Sequence, residues 1–287
     1  MLPEIMLYVS ARTRPELAQL GLRGDAVALW SRATRCRSAW APHEARCHAT
    51  IRAAIADLDR PHTALILGSG LVRDVPLDDL VERFQRVVLV DAVHLWPARR
   101  RARHPKVELV TADLSGVAAW LAGKADRRLD PLASFRDDAR IDLVVSANML
   151  SQLPMAVETW RERHPGRLEG VPTDIARRIV AWHLEDLAGL RGRVCLLTDV
   201  RHREIGRDGK VIDETDLLDG ETLPEPDEAW DWEVAPPGEV SRAASHIHRV
   251  HAFRDFARAR ARHASALIEQ GQGEPSLPCA WESCHVA

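Results

Sequence analysis

The chain has 287 residues, 46% hydrophobic and 28% charged, enough apolar material for one large α/β domain with an appendage. Its 39 basic and 42 acidic residues give a formal net charge of −3, which argues against general nucleic-acid binding because such proteins carry a strong basic excess. No signal peptide or membrane-spanning apolar stretch is recognised, and five cysteines indicate free thiols, so we predict a cytoplasmic protein.

Residues 1–60 have helical periodicity, and Pro42 stands where a helix can begin. Short apolar runs of β-type follow, separated by segments that are helical in pattern, including one opened by Asp74 and one capped by Thr173-Asp174. The runs are 64–67, 87–90, 107–110, 141–145 and 193–198, the last ending at Asp199. This alternation predicts a parallel sheet that is covered by helices on both faces.

The pattern becomes antiparallel after the fifth run. Residues 205–212 predict a hairpin, 230–234 and 246–253 predict a second antiparallel pair, and 254–269 predict a basic helix. We therefore expect an α/β fold with a doubly wound, seven-stranded, mostly parallel sheet, a C-terminal antiparallel strand pair and an N-terminal helical cap. The predicted boundaries are 1–60 for the cap, 61–254 for the ligand-binding α/β domain and 255–287 for a C-terminal basic helix and tail.

Glycine and acidic residues follow three consecutive predicted strands. Gly68-Ser69-Gly70 follows the first strand, and glycine lets the backbone approach a ligand closely because it has no Cβ. Asp91 ends the second strand, where a carboxylate can accept both hydroxyls of a ribose. Asp113 follows the third, where it can accept from an adenine amino group. Because ligands of open α/β sheets bind at the carboxyl ends of the strands, these positions predict one nucleoside site.

From Ala64 to Asp113 the chain resembles the cofactor half of the class I Rossmann-like S-adenosylmethionine-dependent methyltransferases, and the likeness of pattern extends to about Phe253. The resemblance implies that S-adenosylmethionine is bound at the strand ends, with the segment after the fourth strand bordering the transferred methyl. The chain departs from the family pattern in the first turn, where Ile66 replaces an acid and Val72 replaces the third glycine. The implied cofactor-binding residues are Gly68, Ser69, Gly70, Asp91, Asp113 and Ser146.

The resemblance implies methyl transfer to a small-molecule or peptide acceptor. Asn148 is a candidate for orienting an acceptor amine, and His202, just past the fifth predicted strand, is a candidate base. Two alternatives stay open: aminocarboxypropyl transfer from the same cofactor, and cofactor binding without turnover. A nicotinamide dinucleotide is disfavoured because Arg73 stands where its fingerprint needs a third small residue.

Two other regions can be interpreted either as functional or as purely structural. Trp40, His43 and Arg46 are candidates for a lid over the cofactor, although the tryptophan can equally pack the helices onto the sheet. Residues 211–241 contain many acids and no Lys or Arg. Such a run is usually a solvated loop, but over the cleft it would favour a cationic or amine acceptor.

Two His/Cys groups were considered as metal sites. His43, Cys47 and His48 share a predicted helix, on which the first two are four residues apart and can meet one ion. The tail offers a second group, Cys279, Cys284 and His285. Neither group supplies four ligands or has Cys-x-x-Cys spacing, so we predict no metal.

Overall fold

The computed structural model describes residues 2–59, 61–164 and 170–269. Four helices and a short strand come first: α1 (Leu2–Ser10), β1 (Arg12–Thr13), α2 (Pro15–Gln19), α3 (Leu22–Arg35) and α4 (Arg37–Ile55). Pro42 lies inside α4 and not at its start as predicted, because the backbone amide of Trp40 already bonds the Cys36 carbonyl at 3.0 Å. The Cys279, Cys284 and His285 group lies outside the described residues.

The remaining elements alternate as the sequence predicted up to β7. They are β2 (Thr63–Leu67), α5 (Leu77–Arg83), β3 (Arg86–Asp91), β4 (Val93–His94), α6 (Trp96–Arg101), β5 (Val107–Thr111), α7 (Ala118–Leu121), α8 (Ala133–Arg136), β6 (Ile141–Ala147), α9 (Met155–Arg163), α10 (Ile175–Ala188), β7 (Arg193–Gly206), β8 (Val211–Asp216), β9 (Glu228–Ala235), β10 (Ala244–Phe253) and α11 (Phe256–Glu269). Within these ranges, no helix is long and apolar enough to cross a membrane.

The main sheet has the strand order β5-β3-β2-β6-β7-β10-β9. The first five strands of this path are parallel, and β10 is antiparallel to both β7 and β9. The chain runs outward from β2 through β3 to β5 and then returns to β6 on the other side of β2, which makes the β2–β6 boundary a topological switch point. The predicted fold is confirmed, with β8 pairing to β7 as an additional strand.

Residues of β2 alternate between two cores. Ala64 and Ile66 belong to an apolar cluster that includes residues of α4 and α5, and Leu65 and Leu67 belong to a second cluster with residues of α10 and α11. All five residues of β2 are buried. A strand covered on both faces cannot show polar alternation, which explains its continuous apolar run.

Two predicted boundaries differ in the structure. The fifth predicted strand does not end at Asp199: β7 continues to Gly206, because β10 pairs with it from Leu196 onward and extends the ladder. Asp174 precedes α10 as predicted but makes no side-chain cap. Its carboxylate instead accepts a hydrogen bond at 2.8 Å from the side chain of Arg178, four residues further along the chain.

Ile66 provides a test of this core. Its side chain is 0% exposed, and it is paired in register with Leu89 and Val145. We expect Ile66→Asp, which restores the acid of the family pattern, to destabilise the fold by more than about 3 kcal/mol because the carboxylate would be buried without a partner. Ile66→Val should cost only about 0.5–1.5 kcal/mol. Urea unfolding followed by circular dichroism measures both, and a wild-type midpoint for Ile66→Asp would show that this side chain is not in the core.

Candidate functional site

A cleft of about 270 Å³ opens at the carboxyl ends of β2, β3, β5 and β6, at the switch point of the sheet. The sheet side is lined by the segments that follow these four strands. The opposite side is formed by Trp40 of α4, Trp232 of β9 and five residues of α3 and of the turn before it. The sequence analysis did not single out these five residues. They are Leu20, Leu22, Asp25, Ala26 and Leu29.

The turn after β2 has three left-handed residues. Gly68 and Gly70 have φ of +72° and +47°, and Val72 has +57°. A Cβ on Gly68 would lie 2.7 Å from the Cβ of Met149, so this position has no space for a side chain. Val72 is buried and β-branched, and the left-handed conformation is strained for such a residue. The position of the missing third glycine therefore keeps a glycine-like backbone.

Asp91 lines the cleft and also holds the glycine turn. One carboxylate oxygen accepts the backbone N–H of Gly70 at 2.7 Å, and the other accepts that of Val93 at 3.1 Å. Each oxygen keeps a second lone pair that can accept from a ligand. The turn-forming and ligand-binding interpretations of Asp91 are therefore compatible.

Asp113 has a similar double position. Its Oδ1 accepts from the backbone N–H and the hydroxyl of Ser115, at 3.0 and 2.5 Å. Its Oδ2 accepts from the backbone N–H of Ala118, at the start of α7, at 2.7 Å. The carboxylate thereby orders the 113–118 loop, and Asp113 and Ser115 both line the cleft.

The structure does not place Ser146 in the cleft. Neighbouring residues of a strand point to opposite faces, so Ala147 lines the cleft whereas the hydroxyl of Ser146 lies 3.0 Å from Nε2 of His183 on α10. Burial lowers the pKa of His183 to about 3, which keeps its ring neutral. The structure therefore places Ser146 beside His183, outside the residues that line the cleft.

His202 also lies away from the residues that line the cleft. It is on β7 directly opposite His248 of β10, and its Nε2 is 2.9 Å from Nδ1 of His246. Burial, together with these two neighbouring histidines, lowers the pKa of His202. The structure thus brings His202 together with His246 and His248 and not with the residues of the cleft.

A buried carboxylate lies beside these histidines. Nδ1 of His248 is 2.5 Å from Oδ2 of Asp199, whose other oxygen accepts from the Ser151 hydroxyl. Burial would raise the pKa of Asp199, but the hydrogen bond and charge of His248 and the bond from Ser151 together lower it. Asp199 therefore links β7, β10 and the turn after β6 instead of ending a strand.

Asp74, to which the sequence analysis gave only the opening of a helix, also lines the cleft. Its side chain is 28% exposed, and its Oδ2 accepts from Nδ2 of Asn148 at 3.1 Å. Its Oδ1 lies 3.7 Å from Nε2 of His43. Asn148, in the left-handed region at φ +50°, lines the cleft as predicted. The only sequence signal for Asp74 as a cleft residue was its place shortly after the glycine turn.

His43 is a neutral hydrogen-bonding residue of the α4–β9 contact. The indole N–H of Trp230 donates to its Nδ1 at 3.1 Å, and Nδ2 of Asn148 lies 3.2 Å from its Nε2. Burial lowers the pKa of His43, and the charge of Asp74 opposes this only in part. The ring stacks on Trp232 with centroids 3.9 Å apart.

Ligand atoms of His43, Cys47 and Asp74 lie within 4.8 Å of one another. A metal-binding imidazole normally donates its second N–H to a neighbour, whereas His43 accepts a hydrogen bond on that nitrogen. Burial and then Asp74 raise the pKa of the Cys47 thiol well above its ordinary value, and metals bind the thiolate. The donor chemistry therefore fits a hydrogen-bonded cluster better than a metal site.

Of the residues considered for a lid, Trp40 lines the cleft and Arg46 does not. The indole N–H of Trp40 donates to the carbonyl of Val234 at 3.1 Å. The Arg46 guanidinium lies 5.8 Å from the Trp230 ring centre and does not line the cleft. From residue 211 to 241 only Trp232 lines the cleft, because the acidic run contributes β8 and β9 to the sheet, so this run gives no reason to expect a cationic acceptor.

The glycine turn can be tested by matched substitutions. We expect Gly68→Ala to lower stability by more than about 1 kcal/mol, because the methyl group meets Met149 in addition to the left-handed strain. Gly70→Ala carries the strain alone, since the nearest atom to its Cβ would be 3.9 Å away, and should be milder. Thermal unfolding of both variants measures the difference. Equal losses would contradict the close approach of Met149.

No protein-family model and no curated protein matches this chain. Among solved structures, it is similar to the 1,6-didemethyltoxoflavin-N1-methyltransferase of Burkholderia thailandensis with bound S-adenosylhomocysteine, at 18% identity over 80% of this chain and 87% of that one, with a TM-score of 0.37. The N-methyltransferase NodS of Bradyrhizobium japonicum gives 11% identity, 72% and 85% coverage, and a TM-score of 0.33. The glycopeptide N-methyltransferase MtfA gives 16% identity, 78% and 81% coverage, and a TM-score of 0.31.

All three TM-scores lie below 0.5, so the assignment of the fold rests on this chain's own geometry. The main sheet places the glycine turn, Asp91 and Asp113 at neighbouring strand ends and ends in an antiparallel strand pair. The chain therefore has a doubly wound, Rossmann-like α/β fold with a C-terminal antiparallel strand pair.

Proposed function

We propose that this protein binds S-adenosylmethionine and transfers its methyl group to a small-molecule or peptide acceptor. The observation that carries the proposal is the convergence of the glycine turn, Asp91 and Asp113 on one cleft at the switch point. In this proposal the turn at Gly68–Gly70 lies beside the methionine part of the cofactor, Asp91 binds the ribose and Asp113 the adenine.

The donors and acceptors of the cleft fit such a ligand. Three of its lining residues carry a buried polar atom without a hydrogen-bond partner in the described chain: Oγ of Ser69, Oδ1 of Asn148 and Nε1 of Trp232. Buried polar groups are rarely left unpaired, so the wall of the cleft contains hydrogen-bonding groups that the described chain does not satisfy. When bound, the cofactor supplies a methyl group already activated on a sulfonium, and alignment by the cleft can then provide much of the rate.

Arg73 separates this proposal from the nicotinamide alternative. Its guanidinium donates to Glu44 of α4 at 2.6 Å and to the carbonyl of Ala33 at 2.9 Å. These bonds tie the residue after the turn to the helical cap, so the third small position of a dinucleotide fingerprint is occupied by a fixed bulky side chain. Aminocarboxypropyl transfer stays open, and product analysis separates it, since it yields methylthioadenosine in place of S-adenosylhomocysteine.

Cofactor choice can be measured by thermal unfolding. We expect S-adenosylhomocysteine to raise the melting temperature, whereas NAD and NADP should leave it unchanged. At 100 times its dissociation constant, a ligand of the native state contributes about 2.7 kcal/mol of stability. Stabilisation by a nicotinamide cofactor alone would overturn the proposal.

Asp91 tests the site at a single residue. Because a charge-assisted hydrogen bond contributes about 1.5–3 kcal/mol, Asp91→Ala should weaken binding of S-adenosylhomocysteine at least about tenfold. Asp91→Asn should lose less, since its amide oxygen can still accept one hydrogen bond. Calorimetric titration measures the affinity, and urea unfolding of the same samples measures the loss of the bonds to Gly70 and Val93. Unchanged affinity in Asp91→Ala would remove this residue from the site.

A further inference from the structure

Asp74 is a carboxylate of the cleft that has no cationic side chain as a partner among the described residues. No Arg or Lys of the described chain lies within ion-pair distance of it, and its contacts are the neutral amide of Asn148 and His43. Because burial lowers the pKa of His43, that ring does not supply a compensating positive charge. Asp74 therefore presents an uncompensated negative charge beside an apolar wall.

The other charged residues of the cleft have different surroundings. Asp91 and Asp113 each accept backbone N–H bonds on both oxygens. Burial raises the pKa of Asp25, partly opposed by the charge of Arg163. Arg73, which lines the cleft as well, is committed to Glu44. The lining of the cleft thus contains four aspartates and one arginine, and Asp74 is the aspartate that contacts Asn148.

The surroundings of Asp74 call for a hydrogen-bond donor with an apolar body. Asn148 is 4% exposed, and its Oδ1, an acceptor without a partner, belongs to the same amide whose Nδ2 bonds Asp74. Trp40 and Trp232 line the same cleft, with ring centroids 5.1 Å apart. A ligand that reaches Asp74 therefore meets apolar side chains of the cleft as well as the carboxylate.

We propose that Asp74 binds the nitrogen of the acceptor, and that the acceptor is an amine on an apolar body. This inference rests on the proposed function. The bound ammonium gives a proton to solvent, and the freed lone pair forms the new N–C bond to the methyl carbon. The C–S bond breaks with its electron pair going to sulfur, which leaves a methylated ammonium and a thioether. Asn148 holds Asp74 in place and is a positioning residue in this arrangement.

The experiment uses three probes with one apolar body: phenethylamine, 2-phenylethanol and 3-phenylpropionate. The full chain is saturated with S-adenosylhomocysteine at neutral pH, and each probe is titrated by thermal shift and calorimetry. We expect the amine to bind about tenfold or more tightly than the alcohol, as an ion pair of about 1.4 kcal/mol or more requires, and the carboxylate to bind least.

Asp74→Asn should abolish the preference for the amine while leaving the affinity for S-adenosylhomocysteine within about twofold of wild type. Asp78→Asn is the matched control, because it removes the same charge from an exposed position of α5 outside the cleft and should keep the preference. Circular dichroism and thermal unfolding without ligand show whether each variant is folded.

Each other outcome overturns the inference in a distinct way. Equal binding of amine and alcohol by the wild type, or a preference that survives in Asp74→Asn, removes Asp74 from amine recognition. A loss of S-adenosylhomocysteine affinity of tenfold or more in folded Asp74→Asn assigns the carboxylate to the ammonium group of the cofactor instead. Failure of the wild type to bind S-adenosylhomocysteine refutes the proposed function itself, which the other outcomes leave standing.

Discussion

Leu67, the last residue of β2, is paired in register with Val90 of β3 on one side and with Ser146 of β6 on the other. Because these strands are parallel, the next residues of all three emerge at one edge of the sheet at the same height. A shift of one residue in either pairing would turn the following side chains to the opposite face. The relative positions of the glycine turn, Asp91 and Asn148 follow from this register.

The carboxylates of Asp91 and Asp113 stabilise loops of the protein without any ligand. Asp91 fixes the glycine turn and Asp113 fixes the loop that leads to α7, so both acids are held by backbone amides at the cleft. A ligand that bonds to them does not have to order these side chains, because their conformational entropy has already been lost on folding. The strained backbone of Val72 and Asn148 lies next to the same turn, where the surrounding structure maintains it.

The sequence allowed the fold to be predicted because each signal was local. Apolar runs, helical periodicity and the turn at Asp208-Gly209 are read from neighbouring residues, and Asp91 and Asp113 follow from where their strands end. The places of Asp74 and of the lining residues between Leu20 and Leu29 in the cleft could not be predicted in this way, because they depend on how distant elements pack. The position of Ser146 beside His183 likewise depends on the packing of α10 against β6, which the sequence does not show.

The contact between α4 and β9 limits how the cleft can be entered. Trp40 bonds the carbonyl of Val234, Trp230 bonds His43, and His43 stacks on Trp232, all of them buried side chains. Swinging α4 outward would break these contacts together, so on this side the cleft has a fixed wall and not a cover. A rigid surface selects a ligand by whether its shape fits the preformed cleft. A mobile lid selects a ligand by the free energy that the ligand contributes to closure of the lid. On the α4 side, the cleft therefore discriminates between ligands by their shape.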